Sequence, residues 1–500
     1  MSLNQNNDSF SATTIESASL HNWSTLKICV LLPDYSTSDV DYQFYDPPRD
    51  LSHLIPEAHF EHVFLNKLTT YKQLKELKKK QFDIFVNLCE GYLEWAVPSI
   101  DVIYTLEILN LPFTGPTILL YDPPKELMKY VAYTEGVRTP AYALIENEEN
   151  IELECKLLQY PLFVKPHKAG DSLGVDEKSL VNNLSELKEK IRSVIDEYSP
   201  LLVEEYIKGR EFTIMLAADP SNKSATIFRP VEYIFPEGNQ FKTYALKTSE
   251  LHPNANIPVM DEQLNKRLKT AAEKIFTAFN GAGYARLDFR MNGEGELFFL
   301  EINFTCSVFY TKGYEGSADY ILQHDGFGQA NFLKHIIAEG IERYRLKQKK
   351  YFMKGNSIAG YGIYATNNIA ANELIFKGEE MAQRIVTKRH VDQNWDDNQK
   401  EIFRKYAYPL SKEVFLLWDN NPYEWAPQNH SCSPNTAFDG LNVKAISNIK
   451  NGDELTLDYA SFLDENMEPF KCQCGSPNCR GLITGITNNS VTERQKQATT

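Results

Sequence analysis

Asp288, Glu301 and Asn303 bring three oxygen-bearing side chains together in the stretch YARLDFRMNGEGELFFLEIN, residues 284–303. Arg286, Leu287, Asp288 and Phe289 alternate polar and apolar, the period of a half-buried strand. Asn292, Gly293, Glu294 and Gly295 supply turn chemistry, and a second strand, Leu297 to Ile302, leads into Glu301-Ile302-Asn303. Residues two apart on a strand share a face, so Glu301 and Asn303 point the same way, and Asp288 joins them if the strands pair. Two carboxylates and an amide oxygen on a rigid face form a hard-oxygen site suited to Mg²⁺. Arg286 shares the face of Asp288 and is placed to neutralise a developing phosphate or oxyanion. The plain alternative is a sheet with solvated charges on its outer face. A second chemical centre stands at the other end of the chain, where Cys472, Cys474 and Cys479 cluster.

The elements around these residues divide the chain. Its length suggests two to four domains, and its 42% hydrophobic content is ample for real cores. The net charge of −15 argues against a nucleic-acid-binding groove, and most of it falls before residue 350. Residues 1–24 are rich in Ser, Asn and Thr and are expected to form a disordered tail. They lack a basic region followed by an apolar one, and no apolar run spans a membrane, so a cytoplasmic, reducing location is expected. There clustered cysteines point to metal before disulfide. Strands are expected at Leu26–Leu32 and Phe82–Leu88, with a Pro- and Asp-rich loop to Asp50. Helices are expected at Leu68–Lys80 and near Ile100–Leu109. Strand alternating with helix argues a parallel, doubly wound unit, which binds ligands at the carboxyl ends of its strands.

Further on, Lys125 and Lys129 stand four apart on one helix face in DPPKELMKYVAYTEGVRTPAY, and Lys165 ends a strand in LFVKP. The loop HKAGDSLGV follows, then VEEYIKGREF at 203–212. Taken singly, each of these residues reads as a solvated charge. Taken as an ordered series ending in Arg286–Asp288 and Glu301–Asn303, they resemble an ATP-grasp domain, and more narrowly the D-alanine–D-alanine ligases, over roughly residues 26–345. The resemblance implies a doubly wound N-terminal α/β domain (25–120) and α+β nucleotide-binding subdomains (121–349). It implies that Lys125, Lys165 and Lys247 contact the nucleotide and its phosphates. It further implies that Glu204 meets the adenine edge, that the backbone at Glu205 and Ile207 forms the hinge, and that Glu211 holds the ribose. The implied chemistry is phosphorylation of a carboxylate by ATP with Mg²⁺, followed by attack of an amine on the acyl phosphate.

Four departures stand out. Pro33-Asp34-Tyr35-Ser36 replaces the family's Gly-Gly-x-Ser-x-Glu turn, Asp171-Ser172 replaces paired serines, Thr248 replaces a common tyrosine, and Phe304-Thr305-Cys306-Ser307 replaces a Pro-Gly turn. All are read as lying on the acceptor side. Nucleotide binding is therefore the firmer expectation, D-alanine is not the expected substrate, and an altered or lost ligase activity stays open.

Residues 331–349 are expected to form a closing helix. Beyond it a strand-turn-strand rhythm carries Gly360 and Gly362, residues 381–425 are expected to be helical and aromatic-rich, and NHSCSPN (429–435), GDELTLDYA (452–460) and FKCQCGSPNCRG (470–481) follow. This ordered set resembles a mostly-β SET-domain protein-lysine methyltransferase (350–465) with a post-SET zinc motif (466–483), before a polar tail (484–500). By that resemblance Gly360, Tyr361, Gly362, Asn429 and His430 line the S-adenosylmethionine pocket, and the Asn-His strand and the tyrosine-bearing segment thread through one another. Methyl transfer needs a desolvated amine held in line with the sulfonium. Tyr459 is the expected orienting hydroxyl, against a reading as a buried core tyrosine. Cys432 can join Cys472, Cys474 and Cys479 in a tetrahedral Zn²⁺ site. Leu457 stands where many of these enzymes carry Phe or Tyr. Cys29, Cys89, Cys155 and Cys306 read as ordinary buried residues.

The sequence thus points to a two-enzyme fusion acting on a peptide, protein lysine or amino acid, with no nucleic-acid or membrane partner. Its alternative is an ATP-grasp scaffold that binds without turnover and presents substrate to the SET domain. A third reading makes both domains steps of one small-molecule pathway.

Overall fold

The computed structural model describes residues 22–38, 46–91, 96–168, 174–220, 224–237, 240–241, 255–418, 426, 428–466 and 468–485. The chain divides into two compact units, Met1–Leu346 and Lys347–Thr500.

The first unit opens with β1 (Lys27–Pro33), β2 (His59–Leu65), helix α1 (Thr70–Lys78), β3 (Ile84–Asn87) and helix α2 (Ile100–Ile108). The strands make a parallel sheet in the order β2-β1-β3. Ile28 to Leu32 and the whole of β3 are buried, as expected of strands covered on both faces. The sequence reading assigned no strand to His59–Leu65. The mixture His59-Phe60-Glu61-His62 lacks clean alternation because β2 is a partly exposed edge.

Helix α3 (Lys125–Thr134) leads into β4 (Tyr142–Ile145), β5 (Leu162–Pro166), β6 (Leu180–Val181), helix α4 (Leu184–Tyr198) and β7 (Leu201–Glu205). These strands pair antiparallel in the order β4-β7-β5-β6. A larger sheet follows: β8 (Gly209–Ala218), β9 (Ala225–Ile227), β10 (Val231–Tyr233), β11 (Asn256–Pro258), β12 (Tyr284–Asn292) and β13 (Leu297–Asn303). Its order is β11-β10-β8-β12-β13, with β9 also beside β8.

Helix α5 (Glu262–Ala278) buries Leu264, Leu268, Ala272, Ile275 and Phe276, one apolar stripe at helical spacing, in the core this sheet builds. The Asp261 carboxylate caps it by accepting from the N–H groups of Gln263 and Leu264. The β12–β13 turn closes on Asn292, whose Oδ1 accepts from the N–H of Glu294 and Glu296. Gly295 adopts φ +79° there, a conformation open to glycine at no steric cost. Helix α6 (Gly328–Lys347) ends the unit.

The second unit is mostly β. β14 (Tyr351–Asn356) and β15 (Gly360–Ala365) form a hairpin. β16 (Leu374–Phe376), β17 (Gln383–Thr387), helix α7 (Lys388–Asn394), helix α8 (Asp397–Tyr406), β18 (Tyr408–Pro409), β19 (Val414–Trp418) and β20 (Asn429–His430) follow, then β21 (Thr436–Asp439), β22 (Asn442–Ala445), β23 (Thr456–Leu457), β24 (Phe470–Lys471) and β25 (Leu482–Ile483). The expectation of a helical 381–425 is corrected here: α7 and α8 are helical, but β17, β19 and β18 form a sheet around them. Phe415, Leu417, Val391 and Phe403 share one small core, and burying them, not local propensity, selects strand for VFLLW. Among the described residues no helix is long and apolar enough to cross a membrane.

One glycine at the start of β8 is sterically required. Gly209 has φ +149°, and a Cβ there would lie 2.0 Å from the Met291 carbonyl oxygen on β12. Gly209→Ala should therefore lower the stability of the first unit by about 2 kcal/mol or more, read as a lower urea midpoint for its unfolding transition.

Candidate functional site

β12 and β13 pair antiparallel with Asp288 opposite Glu301 and Arg286 opposite Asn303. Directly opposed residues project from the same face, so the carboxylates, the amide and the guanidinium converge. A register shift falls after Asp288, at Phe289, and leaves this pairing intact. Asp288 also faces Thr213 on β8, whose hydroxyl donates to Asp288 Oδ1 at 2.7 Å. Arg286 Nη2 lies 3.5 Å from Asp288 Oδ2. Asn303 Oδ1 accepts from the Thr305 N–H at 2.9 Å, which fixes the amide orientation. This donor set of two carboxylates and one amide oxygen fits a hard divalent cation such as Mg²⁺.

A second charged group lies at the start of α3 and the ends of β5 and β7. Lys125 and Lys129 are 5% and 2% exposed, so the reading of them as solvated surface charges fails. Glu204 is held between Lys129 Nζ at 2.7 Å and Lys165 Nζ at 2.6 Å. Burial opposes the Glu204 charge, yet the two ammonium groups overcome it and pull the carboxyl down to about 2. Burial also lowers Lys125 and Lys129. For Lys165 the attraction of Glu204 and Glu301 outweighs burial and raises it. The ring of Tyr142 sits 5.4 Å from Lys129 Nζ. The sequence reading noted Lys129 but gave it no role. Its signal was a lysine on the helix face that buries Met128 and Ala132.

Residues 206–208 link β7 to β8. The Glu205 N–H is bound to the Ala141 carbonyl, and its side chain accepts from the Gln159 N–H. Ile207 sits half-buried in the link. Glu211 lies on β8, opposite Arg290 on β12, with Arg290 Nε 3.4 Å from Glu211 Oε2. Lys247, Thr248 and Asp171-Ser172 lie outside the described residues.

The other two departures meet at the carboxyl ends of β1 and β3. The hydroxyls of Tyr35 and Tyr310 both donate to Asp46. Arg49, 2% exposed, lies 3.2 Å from both Asp46 and Glu90 and donates to the carbonyls of Leu88 and Val308. Burial, with Asp46 nearby, pushes Glu90 up to about 7 against the pull of Arg49. Asp46 and Arg49 are three apart, but Tyr35, Glu90 and Tyr310 join them from other segments, and no sequence motif links them.

In the second unit Asn429 Nδ2 donates to the Tyr361 carbonyl at 2.9 Å and to Glu454 Oε1 at 2.7 Å. Asn356 Nδ2 donates to the same carboxylate at 2.9 Å. A Cβ at Gly362 would lie 2.4 Å from Glu454 Oε1 and 2.9 Å from Asn429 Nδ2, so a side chain there would push these two groups aside. Gly360, at φ +85°, starts the strand. The structure thus brings Gly360, Tyr361, Gly362 and Asn429 together and adds Glu454 and Asn356, which the sequence reading had not singled out.

β20 runs parallel to β23. His430 Nδ1 accepts from the Tyr459 N–H at 3.1 Å, and the two rings pack at 5.6 Å. The Tyr459 hydroxyl donates to the Gln428 carbonyl at 2.6 Å, and burial pushes it up to about 12. Leu457 is buried beside it.

The sulfurs of Cys432, Cys472, Cys474 and Cys479 all lie within 4.8 Å of one another. Backbone N–H groups of Cys432, Cys474 and Arg480 point at sulfurs of the set. Four convergent sulfurs supplied with N–H donors fit a closed tetrahedral Zn²⁺ site. The Arg480 guanidinium also pairs with Asp458, next to Tyr459.

Comparison with known proteins agrees with this division. Residues 131–311 match the family model "D-ala D-ala ligase C-terminus", and residues 360–460 match that of the SET domain. The chain therefore joins a D-alanine–D-alanine-ligase-like ATP-grasp region to a SET domain. It is 30% identical over 200 residues to a D-alanine–D-alanine ligase of Aquifex aeolicus, covering 40% of this chain and 64% of that relative. It is 30% identical over 201 residues to D-alanine–D-alanine ligase B of Pseudomonas syringae, covering 40% and 60%. The chain thus spans under two thirds of the length of these relatives. Among solved structures, the D-alanine–D-alanine ligase of Bacillus anthracis complexed with ATP is similar with a TM-score of 0.49 and 19% identity, over 65% of this chain and 100% of that one. The VanG D-Ala:D-Ser ligase of Enterococcus faecalis gives 0.47 and 18%, over 63% and 99%.

Because the folded pKa of Glu204 lies below its usual value of 4.5, its ion pairs add stability above that value and lose it as pH falls toward 2. The contribution is on the order of 3 kcal/mol. Glu204→Gln should therefore be markedly less stable at neutral pH, and the gap to the unsubstituted chain should narrow as pH falls from about 4.5 toward 2. Urea titrations at a series of pH values read this directly.

Proposed function

We propose that the chain is bifunctional. Its first unit is an ATP-dependent carboxylate–amine ligase of the D-alanine–D-alanine ligase type, and its SET domain is an S-adenosylmethionine-dependent N-methyltransferase acting on a lysine-type amine. The observation that carries the ligase reading is the opposition of Asp288 to Glu301, with Arg286 and Asn303 beside them.

In this reading Asp288, Glu301 and Asn303 hold Mg²⁺, which when bound neutralises phosphate charge. Lys125, Lys165 and Lys247 meet the nucleotide and its phosphates as point charges. Glu204, kept ionised by Lys129 and Lys165, accepts from the adenine amino group, the backbone at Glu205 and Ile207 meets the base edge, and Glu211 accepts from the ribose. Arg286, tethered beside Asp288, stabilises the oxyanion that forms as the amine attacks. The acceptors are amino acids or peptides.

For methyl transfer, Gly360, Tyr361, Gly362, Asn429 and His430 hold the donor. The Tyr459 hydroxyl spends its proton on Gln428, so its lone pairs face an incoming amine N–H. A phenol raised to about 12 is neutral at pH 7, so Tyr459 orients the amine rather than deprotonating it. Cys432, Cys472, Cys474 and Cys479 would hold Zn²⁺ and tie the C-terminal loop to β20. A reducing cytoplasmic setting suits these thiolates.

The ligase reading is tested by measuring Mg²⁺-dependent ADP release across a library of amino acids and peptides. At least one carboxylate–amine combination should stimulate turnover, and Asp288→Asn should lower it by about tenfold or more. Silence across the library while ATP still binds would favour a non-catalytic scaffold.

The methyltransferase reading predicts about one zinc per chain by elemental analysis, less in Cys432→Ser. With labelled methyl donor and peptide or small-amine acceptors, Tyr459→Phe should transfer about 10²-fold more slowly while binding donor equally well. Undiminished transfer by that variant would remove Tyr459 from its role.

A further inference from the structure

Arg290 belongs to the first unit's large sheet, and neither the nucleotide contacts nor the cation face proposed above employs it. It is 3% exposed, an unusual place for a guanidinium. On the sheet order β10-β8-β12, Tyr233 and Arg290 flank Glu211 in register, one from each side. Three directly opposed residues on neighbouring antiparallel strands project from one face, so the row reads tyrosine, carboxylate, guanidinium. Arg290 Nε stands 3.4 Å from Glu211 Oε2.

The rest of the guanidinium is immobilised. Its Nη2 donates to the Gln240 carbonyl at 2.5 Å, the same oxygen that accepts from the Tyr206 hydroxyl at 2.7 Å. Its carbon lies 4.6 Å from the centre of the Tyr206 ring and 5.7 Å from that of Phe235. Tyr206 belongs to the link between β7 and β8, so Arg290 ties that link to the Glu211 row. A planar fork stacked on aromatic rings has little freedom to follow a moving carboxylate.

We propose that Arg290 is a positioning residue: it holds Glu211 aimed so that the nucleotide site selects ribose over 2′-deoxyribose. The proposal rests on the reading of Glu211 as the ribose acceptor. A charged, fixed acceptor discriminates because a missing hydroxyl leaves it unpaired. A carboxylate free to rotate re-pairs elsewhere, and the discrimination falls.

The test is calorimetric titration of ATP, 2′-deoxyATP and 3′-deoxyATP into the full chain and into Arg290→Gln, Arg290→Lys and Glu211→Gln, each checked for folding by circular dichroism. The full chain should prefer ATP to 2′-deoxyATP by about tenfold. Arg290→Gln should reduce the preference below about threefold, chiefly by weakening ATP, with 2′-deoxyATP little changed. Arg290→Lys, which keeps charge without the rigid fork, should fall between, and it carries the test if the glutamine variant does not fold.

Retention of the full preference in whichever of these variants folds overturns the proposal. A preference lost in Glu211→Gln but kept in Arg290→Gln overturns it while leaving the ribose reading standing. A full chain that binds ATP without any ribose preference overturns both, and one that does not bind ATP overturns the nucleotide reading itself.

Discussion

The antiparallel register that sets Asp288 against Glu301 is the constraint on which the first unit's chemistry depends. Like charges directly opposite one another on paired strands are destabilising, so this arrangement opposes folding unless it is compensated. Arg286 and Thr213 offer partial compensation to Asp288, and Asn303 is held in orientation by Thr305. A cation bound to both carboxylates would relieve the repulsion that protein groups leave. The strands are held by their apolar faces, through Leu287, Phe289, Phe299 and Ile302, and the polar face takes its geometry from that packing.

A similar logic governs the charges around Glu204. The chain is strongly acidic as a whole, with a net charge of −15, yet buried Lys125 and Lys129 and largely buried Lys165 gather around Glu204. Global charge thus says little about the local field, which is set by which side chains the sheet and the helix start bring together. Removing one member of a buried pair leaves an uncompensated charge and costs far more than the pair contributes. In the second unit the crowding is of sulfur: four thiol groups within 4.8 Å are tolerable when a metal or N–H donors take up their charge.

Much of this was legible in the sequence because the relevant period is short. Alternation over Arg286–Phe289, the turn at Asn292–Gly295 and the two-residue step from Glu301 to Asn303 fix a face without knowledge of the rest of the fold. The four cysteines were legible because three of them are local and the fourth sits in a distinctive phrase. What escaped was set by tertiary packing. His59–Leu65 is an edge strand with mixed polarity, and Val414–Trp418 is a strand only because Phe403 and Val391 cover it. Lys129 was visible as a helix-face lysine, but its partnership with Glu204 spans two elements far apart in the chain. In the Asp46–Arg49–Glu90 cluster only Asp46 and Arg49 are local to one another, and Glu90 joins them from a second loop.

That cluster bears on which molecules the first unit can accept. Two segments that depart from the ligase pattern, Pro33–Ser36 and Phe304–Ser307, contribute Tyr35 and Ser307 to it, and Val308 and Tyr310 follow just after the second. Arg49 is already committed to two carboxylates and two carbonyls. A substrate carboxylate arriving here would have to displace Asp46 or Glu90, and breaking a buried ion pair costs roughly 3–5 kcal/mol. The groups assigned to the nucleotide are held by internal ion pairs as well, Glu204 by Lys129 and Lys165 and Glu211 by Arg290. Both clusters are therefore fixed by their own buried ion pairs, and each presents its remaining groups in a set geometry. The two clusters draw on different strands and loops, so substitutions in one leave the residues of the other in place.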